Sequence, residues 1–371
     1  MNACRRSLGG QTKKRLIALS QFLSKLTWRK MLSPSVEKTA MKTLTISLLI
    51  LLGAGAAAPS PGYHLLKTIS IPSDGGWDYV TVDGVARRVY VSHGTEVVVL
   101  DADSYEVKGT ITGLKGVHGI AVAPDLDRGF ISNGQGNNVT VFELQTLKKL
   151  GTVETGRNPD AIIFDPATQR VFAFNGRSNS ATVIEAKDGK VVGTIELGGK
   201  PEFAVTDGAG SVFVNLEDKS VLVKIDAHKL AVLDRWPVAP GETAVSLAMD
   251  TKNRRLFIGC HNKLVVVMNA DNGKVVDKQP IGARVDASAF DAETGLVFCS
   301  NGEGTVTVIH QDTADKYEVV QTVKTQPGSK TMALDAKTHK LFIPAAKFKP
   351  AAPNTRPAME PGTFSVQVYG K

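Results

Sequence analysis

What the chain lacks narrows its chemistry before any motif is read. Its 371 residues include three cysteines, Cys4, Cys260 and Cys299. They form no Cys-x-x-Cys-His haem attachment site, and no ligand set for haem or copper is apparent. There is no His-Glu-x-x-His, no Gly-x-Ser-x-Gly, no phosphate-binding glycine loop and no pair of metal-spaced histidines. No residue therefore stands out as catalytic. No segment carries the 3.6-residue apolar stripe of an amphipathic helix.

An excess of charge is also missing once the leader is set aside. The whole chain has a formal charge of +8 and a pI near 9.2. Residues 1–42 hold ten Lys or Arg and one Glu, a net +9, so the remainder carries −1. Basicity of the whole chain is thus no argument for nucleic acid as a partner, which needs a basic patch on the folded domain. After Met41-Lys42 comes an uncharged, 16-residue run from Thr43 to Ala58. It has the order of a secretory signal and is short of the roughly 20 residues that span a bilayer. The expected organisation is a basic extension over 1–40 that is not necessarily translated, a signal peptide over 41–58, and one domain over 59–371. That places the mature protein in the periplasm or outside the cell, with no membrane span. Cysteine usage agrees with export; Cys260 and Cys299 are either bonded to each other or two buried thiols.

What is present is a repeat. Tyr90, Phe130, Phe172, Phe213, Phe257, Phe298 and Phe342 succeed one another at steps of 40, 42, 41, 44, 41 and 44 residues. Around each lies an apolar run, a turn, the aromatic-bearing strand, a tight Asn-Gly-type turn and a Val-rich strand, then a fourth strand ending near Gly or Pro. Alternating β-branched residues with Gly, Asn and Asp punctuation signal hairpins. Four antiparallel strands in roughly 40–45 residues make one blade of a β-propeller. The predicted fold is all-β with seven blades. The last copy reaches Lys371 without a fourth strand, while Leu65 to Ile69 reads like the fourth strand of the third copy, Lys190 to Ile195. The N-terminal strand is therefore expected to complete the last blade, which removes an open edge.

These strands also resemble a known family. Tyr90-Val91-Ser92-His93, Phe130-Ile131-Ser132-Asn133 and Phe298-Cys299-Ser300-Asn301, each leading into a Val-rich strand, are similar to the YVTN repeat. The resemblance covers essentially the whole chain after residue 62; the fifth and seventh copies depart from it at Cys260 and Ala345. It implies an exported propeller. For activity it implies little, since members are mostly of unassigned function, with some similarity to propellers that bind cofactors or hydrolyse small molecules.

The topology puts the loops entering the innermost strands on one face, around the channel. Twelve residues before each aromatic, or eleven in the fourth copy, stand Asp78, His118, Asp160, Glu202, Val245, Asp286 and Lys330. Carboxylates gathered on a narrow rim repel one another until a cation, a proton or a basic ligand relieves them. Asp78, His118, Asp160, Glu202 and Asp286 are candidate metal ligands, with calcium, magnesium or manganese the ions that carboxylate oxygens suit. The same five with Lys330 and Trp77 are the candidate ligand-binding residues. In the opposing reading the acids are solvated or pair with Lys200, Arg284 and Lys330. Trp77 and Phe203 stack on a ligand or pack between blades. His93, Asn133, Asn175, Asn215 and Asn301 are expected to end second strands as turn residues, and His261 to cap a turn.

One insertion breaks the pattern. Ala345 to Thr363 contains Pro350, Pro353, Pro357 and Pro361 with Lys347, Lys349 and Arg356; it is expected as a basic flap over the channel mouth or as a disordered insertion. The functional expectation is a binding or protein-interaction module that takes a small molecule or an envelope protein on the acid-rimmed face. The alternative is a lactonase-like metal-dependent hydrolase.

Overall fold

The computed structural model describes residues 62–371 apart from 72, 74 and 351–356. The extension and signal-peptide expectations over 1–40 and 41–58 lie outside the described residues. Seven four-stranded antiparallel sheets make up the domain. The first six blades span residues 77–111, 117–154, 159–196, 201–237, 244–280 and 285–324. In the seventh, the strands Ala333–Asp335, Lys340–Ala345 and Ser365–Gly370 are joined by His64–Ser70, which pairs antiparallel with Ser365–Gly370. Both the blade number and the closure by the N-terminal strand are as expected. The helical content of the described residues is one short 3₁₀ turn, Pro124–Leu126, and none of their helices is long and apolar enough to cross a membrane.

The seven aromatics explain the period. Each is fully buried, and each belongs to a different apolar cluster between its own blade and the next. Tyr90 lies in the seam between blades 1 and 2, Phe130 in the one between 2 and 3, and Phe172 in the one between 3 and 4. Phe213, Phe257, Phe298 and Phe342 continue this round to the seam between blades 7 and 1. A blade cannot bury both of its faces alone. Each aromatic supplies on the order of 2–3 kcal/mol of apolar burial that exists only when the neighbour is in place.

The turn ahead of each aromatic strand is equally regular. Three residues before the aromatic, Arg87, Asp127, Gln169, Gly210, Arg254, Gly295 and His339 all have left-handed backbone. Acids at the ends of innermost strands hold these turns: Asp83 accepts from the Val85 and Ala86 amides, and Asp165 from Thr168.

Expected roles for the strand-end Asn residues need correction. Asn133, Asn175, Asn215 and Asn301 are not in the left-handed region. The amides of Asn133, Asn175 and Asn301 instead donate to hydroxyls on the following strand, Thr140, Thr182 and Thr307 among them. Asn215 does not end its strand, Ser211–Leu216, and donates across the seam to the Ser246 carbonyl. Cys260 and Cys299 are both free and buried, and burial pushes each thiol up to about 12.

Candidate functional site

A bulge recurs where the innermost strands enter the channel. The pairing of these strands slips between Trp77 and Val80, Val117 and Ile120, Pro159 and Ile162, Pro201 and Ala204, Ala244 and Ser246, and Val285 and Ala287. Asp78, His118, Asp160, Glu202, Val245 and Asp286 all stand at the slip. A bulge re-aims a side chain out of the regular pleat, so one repeated backbone device brings the polar residues of this set to the rim, while Val245 packs into the cluster between blades 5 and 6.

The repeat's serines hold the bulges. Ser92 Oγ accepts from the Asp78 and Tyr79 amides, Ser132 Oγ from Gly119, and Ser300 Oγ from Ala287. Ser132 and Ser300 also donate across the seam, Ser132 to the Asp160 carbonyl at 2.5 Å and Ser300 to the Lys330 carbonyl. The strand-end serine thus fixes the rim residue of its own blade and of the next. Lys330 is held equivalently although it precedes the short strand Ala333–Asp335.

Among the described residues, one group of three potential metal ligands lies close together: Asp78, His118 and Asp160, with ligand atoms within 4.8 Å of one another. Nδ1 of His118 is 2.5 Å from Asp78 Oδ2 and 3.6 Å from Asp160 Oδ1. The other rim acids are paired. Glu202 receives Lys200 Nζ at 3.1 Å, and Lys200 also reaches Glu217. Asp286 receives Lys330 Nζ at 3.0 Å. Arg284 does not join them; it donates to the Gly302 carbonyl. The rim is therefore divided into a half with ammonium partners and a half where two carboxylates share one imidazole.

The electrostatics reflect this division. Burial pushes the Asp160 carboxyl up to about 7, with the Asp78 charge adding to it and His118 and Lys200 opposing. Burial likewise takes Glu202 to about 8, helped by Asp160 and Glu217 and opposed by Lys200. Asp286 is raised by burial against the pull of Lys330. For His118, burial favours the neutral ring, but the bond to Asp78 and the charge of Asp160 outweigh it and raise its pKa. Water-poor surroundings and crowded like charges together leave this half short of positive charge.

Trp77 sits beside the site instead of in it. Its ring packs on Phe364 and Phe348, with centroids 5.4 and 6.0 Å away. Phe203 faces the channel and stacks on Tyr79 at 5.4 Å. The repeat pattern does not single out Tyr79; a large residue one step beyond the rim, where Gly119, Ala161 and Ala287 are small, is the signal that could have found it. At the insertion, Phe348 and Met359 form a bridge, and the Lys349 amide donates to the Ala358 carbonyl. Through Phe348 on Trp77 its base rests on the rim face, with Lys347 and Lys349 exposed. Its middle, 351–356, lies outside the described residues.

Residues 85–246 match the family described as "Domain of unknown function (DUF5074)". No curated protein matches the chain in sequence. Several solved structures are similar in fold. One is a chain of hydrazine synthase from Kuenenia stuttgartiensis, with a TM-score of 0.65 and 15% identity over 74% of this chain and 94% of that one. Two others are U3-55K and the RRP9 WD40 repeats, each with a TM-score of 0.68 and 9% identity. They cover 83% and 84% of this chain, respectively, and 98% of their own. At such identities the likeness concerns the propeller alone.

Proposed function

We propose that this protein is an exported, YVTN-like binding propeller whose acid-rimmed channel mouth takes up a cation, with Asp78, His118 and Asp160 as the seat of a divalent ion. The observation that carries the reading is the 4.8 Å limit on the separation of their ligand atoms. Calcium holds oxygens at about 2.3–2.6 Å, so ligands on opposite sides of one ion stand about 4.6–5.2 Å apart. Two carboxylates and an imidazole suit calcium, manganese or magnesium in that order of tolerance for irregular geometry. His118 Nδ1 and Asp78 Oδ2 would have to separate from 2.5 Å to share an ion, and the His118 Nδ1 proton would be given up. Glu202 and Asp286, already paired with lysines, would complete the negative field around the seat and contact a larger cationic group of a small molecule or an envelope protein.

A metal-dependent hydrolase is the second reading, favoured by one observation: outside the three seat residues, burial pushes the Glu202 carboxyl up to about 8, which lets it take up a proton near neutral pH. A bound ion would supply polarisation of an ester or lactone carbonyl; Glu202 would orient and deprotonate the attacking water.

Thermal unfolding of chelator-treated protein with added calcium, manganese and magnesium tests the ion seat. An ion at 100 times its Kd stabilises by about 2.7 kcal/mol, and the gain should vanish in Asp160→Asn. No shift with any of the three ions would remove the proposal. If an ion binds, turnover of lactones by wild type and not by Asp160→Asn separates a catalyst from a binding module.

A further inference from the structure

Beyond the rim, the channel changes character. The next residues along the innermost strands of blades 1–4 line an open-sided cavity of about 390 Å³. Its walls include Val80, Ile120, Ile162, Ile163, Phe164 and Val205, and no charged residue contributes to them. Tyr79 and Phe203 also line it. Their stacked rings come from the first and fourth blades, each one residue beyond a rim acid, Asp78 or Glu202.

The polar side chains of the lining are already engaged. Thr81 Oγ1 donates to the Ile120 carbonyl, Thr206 Oγ1 to Asp165, and the Tyr79 phenol to the Glu202 carbonyl. The volume equals about a dozen waters at their liquid share of about 30 Å³. Each buried water needs two to four polar partners, and this wall offers backbone groups of the strand edges alone. The size falls in the range of about 300–1,000 Å³ typical of small-molecule pockets, which are mostly apolar with a few polar groups.

We propose that this chamber binds an uncharged, ring-bearing organic molecule, packed against the aliphatic walls under the Tyr79–Phe203 pair and hydrogen-bonded to the exposed inner-strand edges. Anions are disfavoured, since no cationic side chain lines the wall and the rim acids act on Tyr79 within it. The chamber's lining shares no residue with the ion seat.

Fluorescence titration with N-phenyl-1-naphthylamine, and competition by indole, tests this on the full chain. Saturable one-to-one binding is expected, weakened at least tenfold by Val205→Phe or Ile163→Phe, either of which puts a phenyl ring in the wall and narrows the chamber. Two variants are named so that one folded protein, judged by circular dichroism, suffices. The sulfonated relative 1-anilinonaphthalene-8-sulfonate should not compete. Absence of saturable binding, equal binding by a folded phenylalanine variant, or equal affinity for the sulfonate would each overturn the proposal.

Discussion

The phenol of Tyr79 in the first blade donates to the backbone carbonyl of Glu202 in the fourth, at 2.9 Å. These blades are not neighbours, so the bond and the Tyr79–Phe203 stack tie the ring across its own axis. The same contact fixes the backbone of a rim acid. Removing only the hydroxyl in Tyr79→Phe should cost about 0.5–1.5 kcal/mol. Tyr79→Ala also loses the stack and should cost on the order of 2–3 kcal/mol, below the 3–5 typical of a fully buried aromatic. At about 2–4 °C per kcal/mol for chains of 150–250 residues, melting curves resolve the two steps. Equal Tm for wild type and both variants would show that the cross-channel tie contributes nothing.

The rim should make stability depend on pH in metal-free protein. Asp160 and Glu202 are raised to about 7 and 8 from ordinary values of 3.8 and 4.5. A carboxyl raised on folding stabilises the native state fully below its unfolded pKa, and that contribution is lost as pH rises through the folded one. His118 is raised from 6.5 and acts in the same direction. Stability should therefore decline between about pH 4 and 8, by up to about 1.4 kcal/mol per pH unit for each such carboxyl. Asp160→Asn should flatten the profile. Urea titrations at pH 5, 6.5 and 8 measure it; a wild-type profile no steeper than that of Asp160→Asn would count against a charge-crowded rim.

The fold was largely legible because its decisive residues are single aromatics with one job each. Phe172 and its six counterparts announce a seam per repeat, and a period in sequence becomes a count of blades. The positions of Asp78, His118 and Asp160 came from the same period. Their pairing did not. Whether Lys200 reaches Glu202, or Arg284 leaves Asp286 for the Gly302 carbonyl, depends on rotamers that no spacing encodes. The bulges were hidden for a similar reason: a slip of register leaves no mark on an apolar alternation of a few residues. The Asn residues misled because their type suits turns, whereas here the amide reaches hydroxyls four to seven positions on. Tyr79 and Phe203 meet only because the ring closes, a relation between distant repeats that reading one repeat at a time does not reveal.

Closure itself gives the last prediction. Just ahead of the strand His64–Ser70, Tyr63 is buried, its hydroxyl donates to the His339 carbonyl at 2.8 Å, and its amide donates to Gln321 Oε1 at 2.9 Å. Its ring meets Phe298 edge-on at 4.9 Å. One residue thus pins the closing strand to both the sixth and seventh blades. Tyr63→Ala should cost about 3–5 kcal/mol from lost burial, with a further loss from the unpaired His339 carbonyl. Tyr63→Phe keeps the ring contact and should cost about 1 kcal/mol. The larger effect should come from deleting residues up to Ser70. That leaves Ser365–Gly370 as an uncovered edge, a template for pairing with a second chain. Size-exclusion chromatography should then show oligomers that grow with protein concentration, while Tyr63→Ala elutes as wild type does at temperatures below its melting point. A truncated protein that elutes as wild type does with an unchanged Tm would mean that the N-terminal strand covers the seventh blade without holding the ring shut.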